Sequence, residues 1–164
     1  MRFVTEGQAT RDHGDIDISV PRADWPALWR GLNDQFQLQV AEAGRLDRSA
    51  PETVEPGVWN IWARDRAGGP WRVQINLEDG EGDRWVYRRD ARISRSLLEV
   101  RWCSGRTWCG APAVQLLWKA KAPSAKDEHD WALTVPKLPR DERVWLAWAI
   151  AIAHPHSPSA TRLA

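Results

Sequence analysis

The chain has 164 residues, with 23 Lys and Arg against 22 Asp and Glu for a formal net charge of +1, a length that suits one domain able to bury its own core. The even balance supplies no global field to recruit nucleic acid or an anionic membrane surface, and points instead to a small-molecule partner. Cys103 and Cys109, without histidines nearby, are too few for a zinc site, and with no secretory signal ahead of them a reduced, cytoplasmic protein is expected.

In chain order, Asp15-Ile16-Asp17-Ile18-Ser19-Val20 predicts a strand, because the run turns apolar and β-branched. Its side-chain period of two sends Asp15 and Asp17 to one face and Ile16 and Ile18 to the other. Two hard carboxylates on one edge suit a Mg²⁺ ion that keeps several waters and touches substrate phosphates; the plain alternative is an Asp-x-Asp loop with no metal. Asp24-Trp25-Pro26 reads as an N-cap followed by a first-turn proline, opening a short amphipathic helix through Leu28, Trp29 and Leu32. Phe36 to Val40 alternates as a half-buried strand does. The stretch from Ala43 to Gly57, charged and carrying two prolines, shows no period and is expected to be a surface loop.

Val58 to Ala63 and Trp71 to Leu77 flank Asp65-Arg66-Ala67-Gly68-Gly69-Pro70, a turn signal that makes them a hairpin. A further turn at Asp79 to Asp83 leads into a strand over Trp85 to Arg89. From Pro112 the period becomes helical: one helix through Val114, Leu117 and Trp118, a second opened by Ser124 or Lys126, and a third opened by Pro139. The apolar run from Val144 to Ala153 is about half the roughly 18 residues of a membrane span, so no membrane partner is expected and the run reads as a buried helix. Strands first and helices last predict an α+β fold in a single domain over 1–164, with 1–110 mainly sheet, 111–155 helical and 156–164 a tail. Twelve tryptophans stand beside one tyrosine and two phenylalanines; most sit at apolar, periodic positions where packing accounts for them. His154 and His156, split by Pro155, read as surface residues.

Four segments in order, Thr10-Arg11-Asp12-His13-Gly14-Asp15-Ile16-Asp17-Ile18, Trp85-Val86-Tyr87-Arg88-Arg89-Asp90, Pro112 to Lys121, and Lys126-Asp127-Glu128-His129-Asp130-Trp131, resemble the polymerase-β-like nucleotidyltransferase superfamily. Within it the resemblance is to the aminoglycoside and lincosamide adenylyltransferases. It implies a mixed or antiparallel sheet of nucleotidyltransferase type followed by a helical part. It also implies ATP as co-substrate, Mg²⁺ held by Asp15 and Asp17, and transfer of AMP to a hydroxyl of a small polar, aminoglycoside-like molecule, the chemistry of antibiotic resistance. A third carboxylate would take the hydroxyl proton. Of the outward-facing Gln74, Asn76 and Glu78, only Glu78 offers one.

The resemblance further suggests Arg11 as a phosphate contact, His13 as a shaper of the metal edge, and Lys119, in line with Gln115 one turn earlier, as a nucleotide contact. The plain reading of Arg11 and His13 is a solvated loop. The family's Gly-Gly or Gly-Ser turn, whose amides grip the triphosphate, has no counterpart beside the lone Gly7. Two readings therefore stand: an active Mg²⁺-dependent transferase, monomer or weak dimer, and a non-catalytic relative that keeps the fold and a ligand cleft.

Overall fold

A computed structural model describes residues 14–42, 44–104, 106–159 and 163; Arg11 and His13 lie outside them. The chain gathers into two compact units, one from residues 13–88 and one from residue 89 onward.

The first unit is a mixed sheet with one covering helix. Its strands are β1 (Ile16–Pro21), β2 (Phe36–Glu42), β3 (Arg45–Ser49), β4 (Asn60–Asp65), β5 (Val73–Glu81) and β6 (Arg84–Val86), with α1 (Trp25–Leu32) after β1. They run in the order β3-β2-β4-β5-β6, and β1 joins β5. Only the β1–β5 pair is parallel; the β4–β5 hairpin is antiparallel, as the turn between them predicts.

Alternation along the strands divides the sheet into two faces. Ile18, Val20, Leu38, Val40, Ile61, Ala63, Val73, Ile75 and Leu77 form the apolar face and pack with Trp25, Leu28, Trp29 and Leu32 of α1. The helix also reaches backbone beyond β3. The indole of Trp25 donates to the Pro51 carbonyl at 3.0 Å and that of Trp29 to the Ala50 carbonyl at 2.8 Å, so both large rings bury without orphaning their N–H groups. Asp24 makes no side-chain cap bond, and a 3₁₀ turn over Arg22–Asp24 leads into the helix instead.

Two expectations change here. The stretch 43–57 is not all loop, because β3 pairs antiparallel with β2 across a bulge between Val40 and Ala41. An edge strand needs one partner and tolerates charge on both faces, which erases the alternation that would have marked it. The strand expected over Trp85 to Arg89 is shorter and shifted, Arg84–Val86, set by its hairpin with Asp79, Gly80 and Glu81.

The second unit carries β7 (Ser94–Ser96), the two-stranded ribbon β8 (Arg101–Ser104) and β9 (Thr107–Gly110), and then α2 (Pro112–Lys119), α3 (Ala125–Thr134) and α4 (Arg140–Ala153). Its passage from strand to helix falls at the proline that the sequence marks. Ser124 caps α3 in a reciprocal box with Asp127, satisfying two orphan donors at once. Arg95 forks onto Glu142 of α4 at 2.6 and 2.8 Å and lies 4.4 Å over the Trp145 ring. The apolar run of α4 is not buried all round. Leu146, Ala149 and Ile150 face inward, whereas Val144 is 62% and Trp148 46% exposed, so one stripe packs and the other meets solvent. Overall the fold is α+β, and among the described residues no helix is long and apolar enough to cross a membrane.

His154, at the end of α4, is half-buried rather than a surface residue; His156 is exposed. Burial and the nearby charges of Arg89 and Lys121 lower the His154 pKa. NMR titration should therefore place its midpoint below the ordinary ~6.5. Stability should be level above that pH and decline below it, because the unfolded chain takes the proton first. Removing Trp25, which is 1% exposed, should cost about 3–5 kcal/mol as Trp25→Ala in urea unfolding, through the cavity and the lost indole bond.

Candidate active site

Opposite the apolar face lies a polar one, and the strand register lays it out in rows. One row runs Asp17, Gln74, Trp62, Gln39 across β1, β5, β4 and β2; the next runs Ser19, Asn76, Asn60, Ala41. Asp17 projects from β1 onto this face, and Asp15 sits in the bend one residue before Ile16, where the strand begins. Both carboxylates are exposed, as is Ile16 at 62%. Ile18 turns toward the core as expected, while Ile16, at the strand's first residue, does not.

Glu78 completes the set. It is 9% exposed, and each carboxylate oxygen accepts one hydrogen bond: Oε1 from the Ser19 hydroxyl and Oε2 from the Trp85 indole, both at 2.9 Å. Such pairing is what burial of a carboxylate demands. Glu78 stands opposite Pro21, four residues along β1 from Asp17, and reaches back to Ser19, two residues beyond Asp17. Among the described residues no three His, Cys, Asp or Glu side chains gather as a metal cage, so the metal reading rests on Asp15 and Asp17 alone.

The Trp85 contact depends on a glycine. Gly80 has φ +153°, and a Cβ there would collide with the Arg84 carbonyl; only a bare backbone lets the tight 80–85 hairpin close and bring Trp85 over Glu78. Beyond Glu78 the β1–β5 junction is pinned by Arg22. Its Nε donates to Asp79 Oδ1 at 3.1 Å, its Nη1 to the Val58 carbonyl at 2.7 Å, and its guanidinium lies 4.8 Å over Trp59.

Within the second row the amides form a polarised lattice. Asn76 Nδ2 donates to the Ile18 carbonyl at 3.4 Å, and Asn76 Oδ1 accepts from Asn60 Nδ2 at 2.6 Å and from Gln74 Nε2 at 2.8 Å. A backbone carbonyl can only accept, so it sets which way the Asn76 amide faces and makes its neighbours donors.

Lys119 is engaged within the second unit. Its ammonium donates to Asp127 Oδ1 at 2.6 Å and to Asp130 Oδ2 at 2.8 Å, and Asp130 is 1% exposed. Burial alone would lower the Lys119 pKa, but the two carboxylates outweigh it and hold the ammonium above its usual value. Burial likewise tends to raise the Asp127 pKa, and the Lys119 and Ser124 hydrogen bonds bring it below the ordinary value.

Ser19 and Trp85 are the residues that sequence reasoning passed over. Ser19 was within reach, two residues beyond Asp17 and so on the same face. Trp85 was not, because nothing local reveals its place opposite Gly80. A cavity of about 260 Å³ lined by Asn33, Gln37, Leu38, Ser49, Ala50 and Arg66 contains none of the candidate residues.

Compared with known proteins, the chain matches no family model, no curated protein and no solved structure.

Replacing Lys119 by methionine takes the ammonium away from the buried Asp130 carboxylate. Lys119→Met should lose about 3 kcal/mol or more in chemical denaturation at neutral pH, and a value under about 1 kcal/mol would show that the ion pair contributes little to the unit.

Proposed function

We propose that this chain is a Mg²⁺-dependent nucleotidyltransferase of the polymerase-β-like kind, which moves AMP from ATP to a hydroxyl of a small polar, aminoglycoside-like molecule. The observation that carries the reading is the junction of β1 with β5. It carries two exposed carboxylates, Asp15 and Asp17, at the start of β1 and, further along the same seam, a buried carboxylate, Glu78, that is bonded to β1 through the Ser19 hydroxyl.

The donor chemistry fits the ion. Asp15 and Asp17 offer hard anionic oxygens at an exposed edge, where a hydrated ion can share its shell with phosphate oxygens. When bound, Mg²⁺ neutralises triphosphate charge and lets pyrophosphate depart.

The remaining work falls to the chain. Ser19, exposed at the edge of the face, orients the attacking hydroxyl by accepting its hydrogen bond. As that hydroxyl attacks the α-phosphorus, its proton passes to Ser19 Oγ, whose own proton moves along the 2.9 Å bond to Glu78 Oε1. The proton thus ends on a carboxylate that solvent scarcely reaches. The Trp85 indole holds that carboxylate in place throughout. Arg11 and His13 belong to this reading as phosphate and metal-edge contacts and Lys119 as a nucleotide contact, its ammonium being held by Asp127 and Asp130. A nucleotide and a small hydroxyl compound as the partners accord with the even charge balance, and a reduced, cytoplasmic setting with the free Cys103 and Cys109.

A second reading, a ligand-binding relative without catalysis, is favoured by one feature. Both Glu78 oxygens are already hydrogen-bonded within the protein.

Pyrophosphate release from ATP with Mg²⁺ and an aminoglycoside acceptor separates the two. The transferase reading expects turnover that falls at least ~100-fold in Asp17→Asn, the scale of losing one electrostatic stabiliser, with the circular dichroism of the fold unchanged. Calorimetric silence of the wild-type chain toward Mg²⁺-ATP would sink the transferase and leave the binding relative.

A further inference from the structure

The net charge of +1 is a sum over an uneven chain. From Val100 to Lys126 the bases are Arg101, Arg106, Lys119, Lys121 and Lys126, and no Asp or Glu stands among them. The acids that balance them lie elsewhere, chiefly in the first unit and in α3 and α4. Exposed charges further apart than a Debye length, about 8–10 Å at ordinary salt, are screened from one another. An approaching polyanion therefore meets the local set and not the total. Lys119 is taken up by Asp127 and Asp130. Arg101 and Arg106 are joined to no carboxylate among the described residues, and both belong to the β8–β9 ribbon.

The ribbon pairs Cys103 with Trp108 and Trp102 with Cys109. Side chains alternate across it, so Arg101, Cys103 and Trp108 share one face while Trp102 and Cys109 take the other. The second face is half-buried and the first is exposed. Trp108 is 60% exposed, against 2% for Trp131 of the same unit. The Arg101 guanidinium lies 4.5 Å from the centre of its ring, which covers one side of the indole with a cation and leaves the other to solvent. Arg106 stands at the turn, beyond the Ser104–Thr107 pair. That pair is three residues, roughly 10 Å, along the ribbon from the pair of Arg101 with Gly110. One face thus presents a flat aromatic ring between two separated positive charges.

We infer that this face of the β8–β9 ribbon binds single-stranded nucleic acid. A base stacks on the open side of Trp108, and phosphates of the same strand bind the Arg101 and Arg106 guanidinium groups. The chemistry selects the partner. An indole stacks on a base only where that base is out of a duplex. An acidic peptide would meet the arginines and leave the indole face bare. An anionic membrane would call for an apolar stripe, and this face offers one large apolar side chain. A nucleotide strand brings a flat ring and a phosphate in every repeat, so it meets the ring and the charges together. The Arg101 stack also fixes the orientation of the Trp108 ring before a strand arrives. The ribbon belongs to the second unit and Asp15, Asp17 and Glu78 to the first, so the assignment stands independently of the transferase reading.

The test uses the full chain and a fluorescein-labelled oligothymidylate of about 15 nucleotides, a length within the usual range of such sites, followed by fluorescence anisotropy. Wild type should bind with a Kd of about 1–100 μM at roughly 50 mM salt, and more weakly as salt rises. Arg101→Gln and Arg106→Gln should each weaken binding several-fold and flatten the slope of log affinity against log salt by about 0.7. Trp108→Ala should weaken it about tenfold with the slope unchanged, and Trp108→Phe should recover most of the loss. Arg30→Gln, which removes an exposed charge from α1 in the first unit, should bind as wild type does. Circular dichroism checks that each variant keeps its fold, and Trp108→Phe and Arg106→Gln carry the decision if Trp108→Ala does not. Absence of binding by the wild-type chain would overturn the assignment, as would equal affinity for a duplex of the same length, or ribbon variants that bind as wild type does. Binding to phosphatidylserine vesicles or to polyglutamate in place of the oligonucleotide would overturn it too, and would give the face to a membrane or an acidic peptide.

Discussion

The parallel pairing of β1 with β5 is the constraint on which the rest of the first unit depends. Strand β5 is long enough to take β4 and β1 along its first part and β6 at its far end. The Ser19–Glu78, Asn60–Asn76 and Trp85–Glu78 contacts of the candidate site each cross one of those seams. The register of Asp17 with Gln74 and of Ser19 with Asn76 decides what each acidic or amide side chain can touch. A slip of one residue would send Asp17 and Ser19 to the core and Ile18 to the polar face. The apolar face forbids such a slip, because Ile18 and Val20 pack there with α1.

Glu78 shows how that register turns into chemistry. A carboxylate so enclosed must be hydrogen-bonded or neutral. Its partners come from two different seams, Ser19 from the parallel one and Trp85 from the hairpin closed at Gly80. Both oxygens are thus held at fixed points without a cation nearby among the bonds described. Asp15 and Asp17 stand exposed at the same junction. One face thereby carries carboxylates in two environments, the arrangement from which division of labour between acids arises.

The tryptophans serve more than packing. Trp25, Trp29 and Trp85 each use the indole N–H to satisfy an oxygen. Several others lie beneath guanidinium groups: Arg22 and Arg88 over Trp59, Arg64 over Trp71, Arg89 over Trp118, Arg95 over Trp145 and Arg101 over Trp108. Stacking of this kind lets an arginine stem cover apolar surface while its charge stays partly solvated. A chain with many arginines and few other aromatics can so build amphipathic surfaces from Trp and Arg together.

Local sequence determined the elements whose signal is local. The hairpin around Gly68 and Gly69, the alternation of β2, the proline-led start of α2 and the Ser124 cap of α3 were all legible, because a two-residue or 3.6-residue period and a capping side chain act within a few residues. The polar face of Asp17, Gln74, Asn76 and Glu78 was legible for the same reason. Tertiary structure alone decided the rest. It made a strand of the unpatterned Arg45–Ser49 edge, turned one stripe of the apolar α4 run to solvent, drew Lys119 onto Asp127 and Asp130, and brought Ser19 and Trp85 to Glu78. Each of these depends on which strand or helix becomes a neighbour. That choice is made by summed burial over the whole unit, and no window of neighbouring residues contains it.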